Sequence, residues 1–350
     1  MTWAIYGASG YTGRLVARLA VQAGESPLLA GRSATRISAL ADELGLPYQV
    51  VPLDPESGLD DLCSGLQVLV NCAGPFIATA EPVAEACLRT KTHYLDISGE
   101  IQSIDYVMGL QSRAHEAGVA MVPAGGFDVV PSDCLARRLH NALPDASELE
   151  LAVRIDGGVS PGTARSAVRS LSSGGYARVD GELRKARLGA KRMRVDFGDG
   201  EHPVASVPLA DLVTAYHSTG IGNISTYAAL PGGLSEIIGM LSPITGLLGS
   251  WPARALLDLA GSLLPGPGEL SRQGSGGAIW GRVRSPDGRC ATATVSTPNA
   301  YELTADAVVA AVGWLRRGRV APGSHTPSAA FGVDFLRHLD GVVTSEMRLS

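Results

Sequence analysis

The sequence predicts an α/β protein, a doubly wound parallel sheet followed by a second α+β domain that contains an antiparallel sheet. From Trp3 onward, short apolar runs alternate with helical patterns, the order that builds a parallel sheet. The segment Gly7-Ala8-Ser9-Gly10-Tyr11-Thr12-Gly13 joins the first apolar run to the first helical one. Beyond Pro144 the apolar period shortens to two, as Leu149, Leu151, Val153 and Ile155 alternate with Glu150, Ala152 and Arg154.

Strands are expected at residues 3–6, 27–30, 48–51, 68–73, 93–96 and 119–122. Several are apolar on both faces, as strands covered by helices on both sides must be. Leu15, Leu19 and Ala23 share one helical face, and Gly24 ends that helix. Ile37, Leu40, Ala41 and Leu44 form the next stripe, closed by Gly45. Further on, residues 278–284 and 290–295 flank the turn Ser285-Pro286-Asp287-Gly288 and read as a hairpin. Ala307, Val308, Ala311, Val312 and Leu315 mark a late helix. The expected division is a Rossmann-type nucleotide-binding domain at 1–145, an α+β substrate or dimerisation domain at 146–318, and a segment at 319–350 that returns to the first domain.

The 350 residues, 45% hydrophobic and 18% charged, suffice for a large core and about two domains. A net charge of -5 argues against a broad nucleic-acid surface while leaving room for a local basic region. Cys63, Cys72, Cys87, Cys134 and Cys290 form no C-x-x-C pair and read as reduced thiols of a cytoplasmic protein. The seven histidines lack metal-ligand spacing, so no metal site is expected. Nothing before Trp3 reads as a signal peptide, and no clean apolar run has transmembrane length.

The glycine segment carries the first chemical inference. Glycines 7, 10 and 13 permit a tight turn, close backbone approach to a pyrophosphate, and close helix packing. The helix that follows offers its positive end to phosphate, with Ser9, Tyr11 and Thr12 at its mouth. At the end of the second strand, Gly31-Arg32-Ser33 stands where a 2′-hydroxyl-binding carboxylate is usual in NAD enzymes. Arg32, aided by Ser33 and Arg36, suits a 2′-phosphate, so the cofactor is expected to be NADPH. Asp54 either borders the adenine or caps a helix before Pro55.

The later strand ends should face the same crevice. Cys72, Ala73, Gly74 and Pro75 are expected along the nicotinamide ribose. Asp96, Glu100, Asp128 and Asp133 follow the fifth and sixth strands, and Glu100, Asp128 and Asp133 are the candidate catalytic carboxylates. Each also suits a helix cap or a loop anchor, Asp133 in particular. None of the nine tyrosines has lysine four positions later, which disfavours a short-chain dehydrogenase.

With Gly7–Gly13, Gly31-Arg32-Ser33, Asn71-Cys72-Ala73-Gly74-Pro75-Phe76, Tyr94-Leu95-Asp96-Ile97-Ser98-Gly99-Glu100, residues 125–133 and the closing His325-Thr326-Pro327-Ser328-Ala329-Ala330-Phe331-Gly332, the chain resembles the saccharopine dehydrogenase-like oxidoreductases. The Gly-Tyr-Thr-Gly form of the loop is similar to the branch that contains trans-acting enoyl reductases. The resemblance implies NADPH-dependent reduction and names no catalytic acid. An enoyl thioester, free or carrier-bound, is the favoured substrate class. An imine of the amino-acid type and a non-catalytic, lipid-associated NADPH-binding protein are the alternatives. Asp128 suits the acid of imine reduction more naturally. Residues 234–264, rich in Leu and Ile, read as core, a subunit interface (a homodimer), an acyl-chain pocket or a peripheral lipid-docking surface.

Overall fold

The computed structural model describes residues 2–53, 58–157, 174–230, 235 and 275–350. The expectations for Asp54 and for 234–264 therefore lie outside the described residues, Ser235 excepted. The chain divides into two units, Met1–Val130 with Tyr301–Asp340, and Pro131–Ala300 with Gly341–Ser350.

Unit 1 holds β1 (Trp3–Tyr6), α1 (Tyr11–Gln22), β2 (Leu28–Gly31), α2 (Ala34–Leu44), β3 (Tyr48–Val50), α3 (Leu59–Cys63), β4 (Val68–Asn71), α4 (Phe76–Thr90), β5 (His93–Asp96), α5 (Ile101–Met108), α6 (Gln111–Ala117) and β6 (Ala120–Val122). The sheet runs β6-β5-β4-β1-β2-β3, with the short strand Gly323–Ser324 added beside β6, and every pairing is parallel. Chain order reverses between β1 and β4, the switch point where such sheets bind ligands. The inner strands β1, β4 and β6 are buried throughout, as their unbroken apolar runs require, while β3 at the edge exposes Tyr48 and Val50.

The first helix differs from the expected stripe. Its buried face is Gly13, Val16, Ala17 and Ala20, and Leu15 and Leu19 are only half-buried. Three of those four are Gly or Ala, so α1 comes close to the sheet and its larger residues are displaced to the flanks. Gly24, at φ +77°, ends it as expected, with Gly24 N–H on Val21 O and Glu25 N–H on Ala20 O. In α2, Ile37, Leu40 and Ala41 are buried and Gly45 closes the helix in the left-handed region.

The expected division at 145 and 318 is corrected on both sides. The late helix Ala300–Arg316 belongs, from Tyr301 onward, to unit 1. Its Thr304 Oγ1 accepts from Phe127 N–H at 3.0 Å, and Arg316 bonds Glu25, which also accepts from the Trp3 indole. Trp314 packs edge-on against Phe331 and Phe335. Contacts this far apart in sequence have no local signature. Residues 319–340 group with unit 1, and the last ten residues with unit 2.

Among the described residues, unit 2 is built on a mixed sheet of ten strands. It holds α7 (Val130–Ala142, shared at Val130 with unit 1), β7 (Glu148–Ile155), β8 (Gly175–Val179), β9 (Glu182–Ala186), β10 (Arg192–Asp196), β11 (Glu201–Ser206), α8 (Asp211–Thr219), β12 (Asn223–Ala228), β13 (Gly277–Arg284) and β14 (Cys290–Thr297). The β13–β14 hairpin forms in full register around Gly288, at φ +93°. β7 pairs antiparallel with β13 but parallel with β12, so the sheet is mixed, not purely antiparallel. Among the described residues no helix is long and apolar enough to cross a membrane.

Candidate nucleotide-binding and active site

The glycine loop leaves β1 and is tied at once to β2, as Gly7 and Ala8 N–H donate to Ala30 O at 2.8 and 3.1 Å. Gly7 sits at φ +81°, and a β-carbon there would come within 2.7 Å of Ala73 N. A β-carbon on Gly13 would lie 2.5 Å from Gly7 O, so only glycine lets α1 close onto the loop. Gly10 is exposed, and a β-carbon there would meet little beyond Gly7 O at 3.1 Å. No side chain caps α1 at Gly10, which leaves the positive helix end turned to the loop.

Arg32 at the end of β2 and Arg36 in the first turn of α2 are exposed, and among the described residues neither makes a hydrogen bond or an ion pair. Other surface arginines of this unit are paired: Arg18 with Glu43, Arg89 with Asp60, Arg113 with Glu85. Ser33 starts α2 without capping it through its side chain.

A buried polar chain crosses the ends of β4, β5 and β6. Asn71 Oδ1 accepts from Ala73 N–H at 3.0 Å, and its Nδ2 faces Thr79 Oγ1 and the Tyr94 hydroxyl at 3.3 and 3.4 Å. Thr79 donates to Ala73 O at 2.6 Å. Tyr94 donates to Asp96 Oδ2 at 2.7 Å, and Asp96 Oδ1 accepts from Ser98 and Ala124 N–H at 2.9 and 2.8 Å. Desolvation drives the Asp96 carboxyl above its ordinary value, against these donors. Two strand-end loops, 72–75 and 123–128, are thus held by one network. Ala124, at φ +60°, is a non-glycine residue held in the left-handed region there. The Cys72 thiol is pushed up to about 12 by burial and by Asp96, so it stays protonated and contributes its backbone.

The three candidate carboxylates separate. Glu100 is a helix cap, accepting from Phe76 N–H at 3.2 Å and Ile77 N–H at 2.8 Å, where Pro75 offers α4 no side-chain cap. Asp133, in the first turn of α7, is fully buried and accepts from Ser218 of α8 inside unit 2. Both take the anchoring role that competed with catalysis in the sequence. Asp128 differs: its carboxyl lies against the Gly99 α-carbon, where a β-carbon would come within 2.5 Å of Oδ2. Asp128 is exposed at the surface of the loop, and desolvation by the groups packed beside its carboxyl pushes it up to about 6.

Sequence reasoning passed over Asn71, Thr79, Tyr94 and Thr304 as site residues. A polar residue closing the apolar run Val68-Leu69-Val70 was a local signal for Asn71; Thr304 bonds a loop 177 positions away and had none.

Residues 3–122 match the family model described as the saccharopine dehydrogenase NADP-binding domain. The N-terminal domain belongs to that family. The chain has curated relatives of two names. An inferred trans-acting enoyl reductase of Mycobacterium tuberculosis is 33% identical over 183 residues, 48% of this chain and 44% of that protein. A human saccharopine dehydrogenase-like oxidoreductase is 31% identical over 149 residues, 37% of this chain and 35% of that protein. The chain thus spans less than half the length of these curated relatives. Across its whole length the chain shares the fold of apo saccharopine dehydrogenase (L-Glu forming) from Saccharomyces cerevisiae, with a TM-score of 0.67, 13% identity, and coverage of 100% of this chain and 99% of that one.

The residues of the NADP-binding domain fit its cofactor. The Gly7–Gly13 loop would hold the pyrophosphate against an uncapped helix end. Arg32, Ser33 and Arg36 would meet the 2′-phosphate with guanidinium groups that no described protein carboxylate occupies. Residues 72–75 would line the nicotinamide ribose.

Proposed function

We propose that this chain is an NADPH-dependent reductase that reduces the carbon–carbon double bond of an enoyl thioester. Asp128 carries the reductase part of the reading, as a proton donor that either substrate class would need. It is the candidate carboxyl left without a structural bond, it stands in a loop at the carboxyl end of the sheet, and its value of about 6 keeps it partly protonated near neutrality. The enoyl preference rests on the name of the Mycobacterium tuberculosis relative.

Bound NADPH supplies a hydride. Asp128 supplies the proton: its O–H bond breaks, a C–H bond forms next to the thioester carbonyl, and the carboxylate regains a proton from water at its exposed edge. The Asn71–Tyr94–Asp96 chain anchors the start of the 123–128 loop that carries Asp128, through Ala124 N–H.

The test is NADPH oxidation by the full chain with crotonyl- and octenoyl-pantetheine thioesters beside a panel of cyclic imines. Enoyl turnover that is lost in Asp128→Asn is the expected result. Turnover confined to imines replaces the substrate class, and tight NADPH binding with no turnover of either panel favours a non-catalytic role.

A further inference from the structure

The helix α9 (Ala300–Arg316), part of unit 1 from Tyr301 onward, meets two strand-end loops of that unit within its first two turns. Tyr301 packs edge-on against Tyr11, the residue that opens α1 directly after Gly10, with ring centroids 4.9 Å apart and planes at 77°. Thr304 lies three residues further, on the same helix face, and accepts from Phe127 N–H at 3.0 Å. Both side chains are buried. The loop that ends in Asp128 is also gripped from its other side. Gly125 N–H donates to Asp96 O at 2.6 Å, and a β-carbon on Gly125 would come within 2.6 Å of Leu95. A β-carbon on Gly126 would come within 2.9 Å of Thr304. Side chains at these two positions would strike β5 on one side and α9 on the other.

The glycine loop leaves β1 and the Asp128 loop leaves β6, and β4 and β5 stand between those strands. At about 4.8 Å per strand, the two loops start about 14 Å apart, too far for either to fix the other. α9 joins them. Its far end is tied down too, because Arg316 and the Trp3 indole both bond Glu25. Its 17 residues make a rod of about 25 Å between these anchors. Val308, Ala311 and Leu315 on this helix are ordinary apolar core. An apolar residue at 304 would fill similar volume, but would leave Phe127 N–H, one residue before Asp128, without the acceptor that holds it.

We infer that the first two turns of α9 set the separation between the phosphate loop and the Asp128 loop, Tyr301 by holding Tyr11 and Thr304 by holding Phe127, and that both are positioning residues for the reduction. The inference rests on the reading of Asp128 as proton donor. Hydride and proton must reach neighbouring carbons of one double bond. The loop that holds the pyrophosphate and the loop that holds the acid therefore need a set separation, and an error of about 1 Å can cost about 100-fold in rate.

The experiment measures NADPH affinity by fluorescence titration, kcat and KM on crotonyl-pantetheine, and Tm, all in the full chain. Thr304→Val should lower kcat about 10- to 100-fold while the Kd for NADPH stays within about twofold of wild type, and Thr304→Ser, which keeps the hydroxyl, should restore most of the loss. Tyr301→Leu should weaken NADPH about two- to tenfold, and Tyr301→Phe, which keeps the ring, should restore the affinity. Gly126→Ala presses a methyl group on Thr304 from the loop side and should reproduce the Thr304→Val loss, so the contact stays testable if that variant does not fold. A lowered Tm with wild-type kcat and NADPH affinity in folded Thr304→Val and Tyr301→Leu assigns both residues to the core and overturns the inference. A kcat loss that Thr304→Ser does not restore overturns it as well. If Asp128→Asn turns over as fast as wild type and Thr304→Val does not, the positioning role stands and the acid is another group. If the wild type reduces neither thioesters nor imines, the NADPH affinity of Tyr301→Leu decides, and an unchanged Kd overturns the inference.

Discussion

The carboxyl of Asp128 rests on the bare α-carbon of Gly99, so two strand-end loops meet with no side chain of Gly99 between them. Gly99→Ala would force Asp128 aside, and Gly99 is not at positive φ, so its backbone tolerates alanine. We expect kcat/KM to fall about 10- to 100-fold through misplacement of the acid, with Tm little changed. Steady-state kinetics beside calorimetry check this; a large loss of Tm with normal turnover assigns the contact to folding alone.

The same carboxyl sets a pH dependence. With its value at about 6 in the folded chain against 3.8 for an ordinary aspartate, reduction that needs the protonated form should decline as pH rises through about 6. The stability consequence has the same direction. Between those values the folded state holds the proton more tightly, so the group's contribution is full below 3.8 and is lost as pH rises through about 6. Asp128→Asn should therefore raise Tm more at pH 8 than at pH 4 while abolishing turnover. A Tm difference that is flat with pH would show an ordinary, solvated aspartate.

Arg32→Ala should weaken NADPH by about 1.5–3 kcal/mol, roughly ten- to a hundredfold, and leave NADH nearly unchanged. The exposed guanidinium has no partner among the described residues, so its removal breaks no internal bond. Titration of both cofactors into wild type and variant measures it, and equal wild-type affinities would contradict the assignment.

Two glycines of one loop should fail in different ways. Gly10→Val projects into open space where the pyrophosphate would lie, and should abolish NADPH binding while circular dichroism stays unchanged. Gly13→Ala drives a methyl to 2.5 Å from Gly7 O and should lower Tm as well. Normal NADPH binding by a folded Gly10→Val would misplace the phosphate site.

Tyr94→Phe removes the hydroxyl that joins Asn71 to Asp96 and leaves Asp96 Oδ2 buried without that donor. The expected cost is about 1–3 kcal/mol in stability. KM for NADPH should rise as the 72–75 loop loosens. Unchanged Tm and KM together would show the network to be dispensable.

Local features of the chain determined the parallel sheet, the glycine loop, the arginine in place of a carboxylate after β2, and the β13–β14 hairpin. Each depends on neighbours in sequence: an apolar period, a positive φ at Gly7 or Gly288, a residue type at a strand end. Tertiary structure decided what the carboxylates do. Glu100, Asp128 and Asp133 have equivalent chemistry and similar loop contexts, and only packing gave Glu100 the α4 amides, Asp133 the Ser218 hydroxyl, and Asp128 a glycine and a partly open face. It also placed most of the helix Ala300–Arg316 in unit 1, through Thr304, Trp314 and Arg316. A carboxylate's role follows from which donors reach it and how much water it loses, and both are set by residues 23 to 85 positions away along the chain.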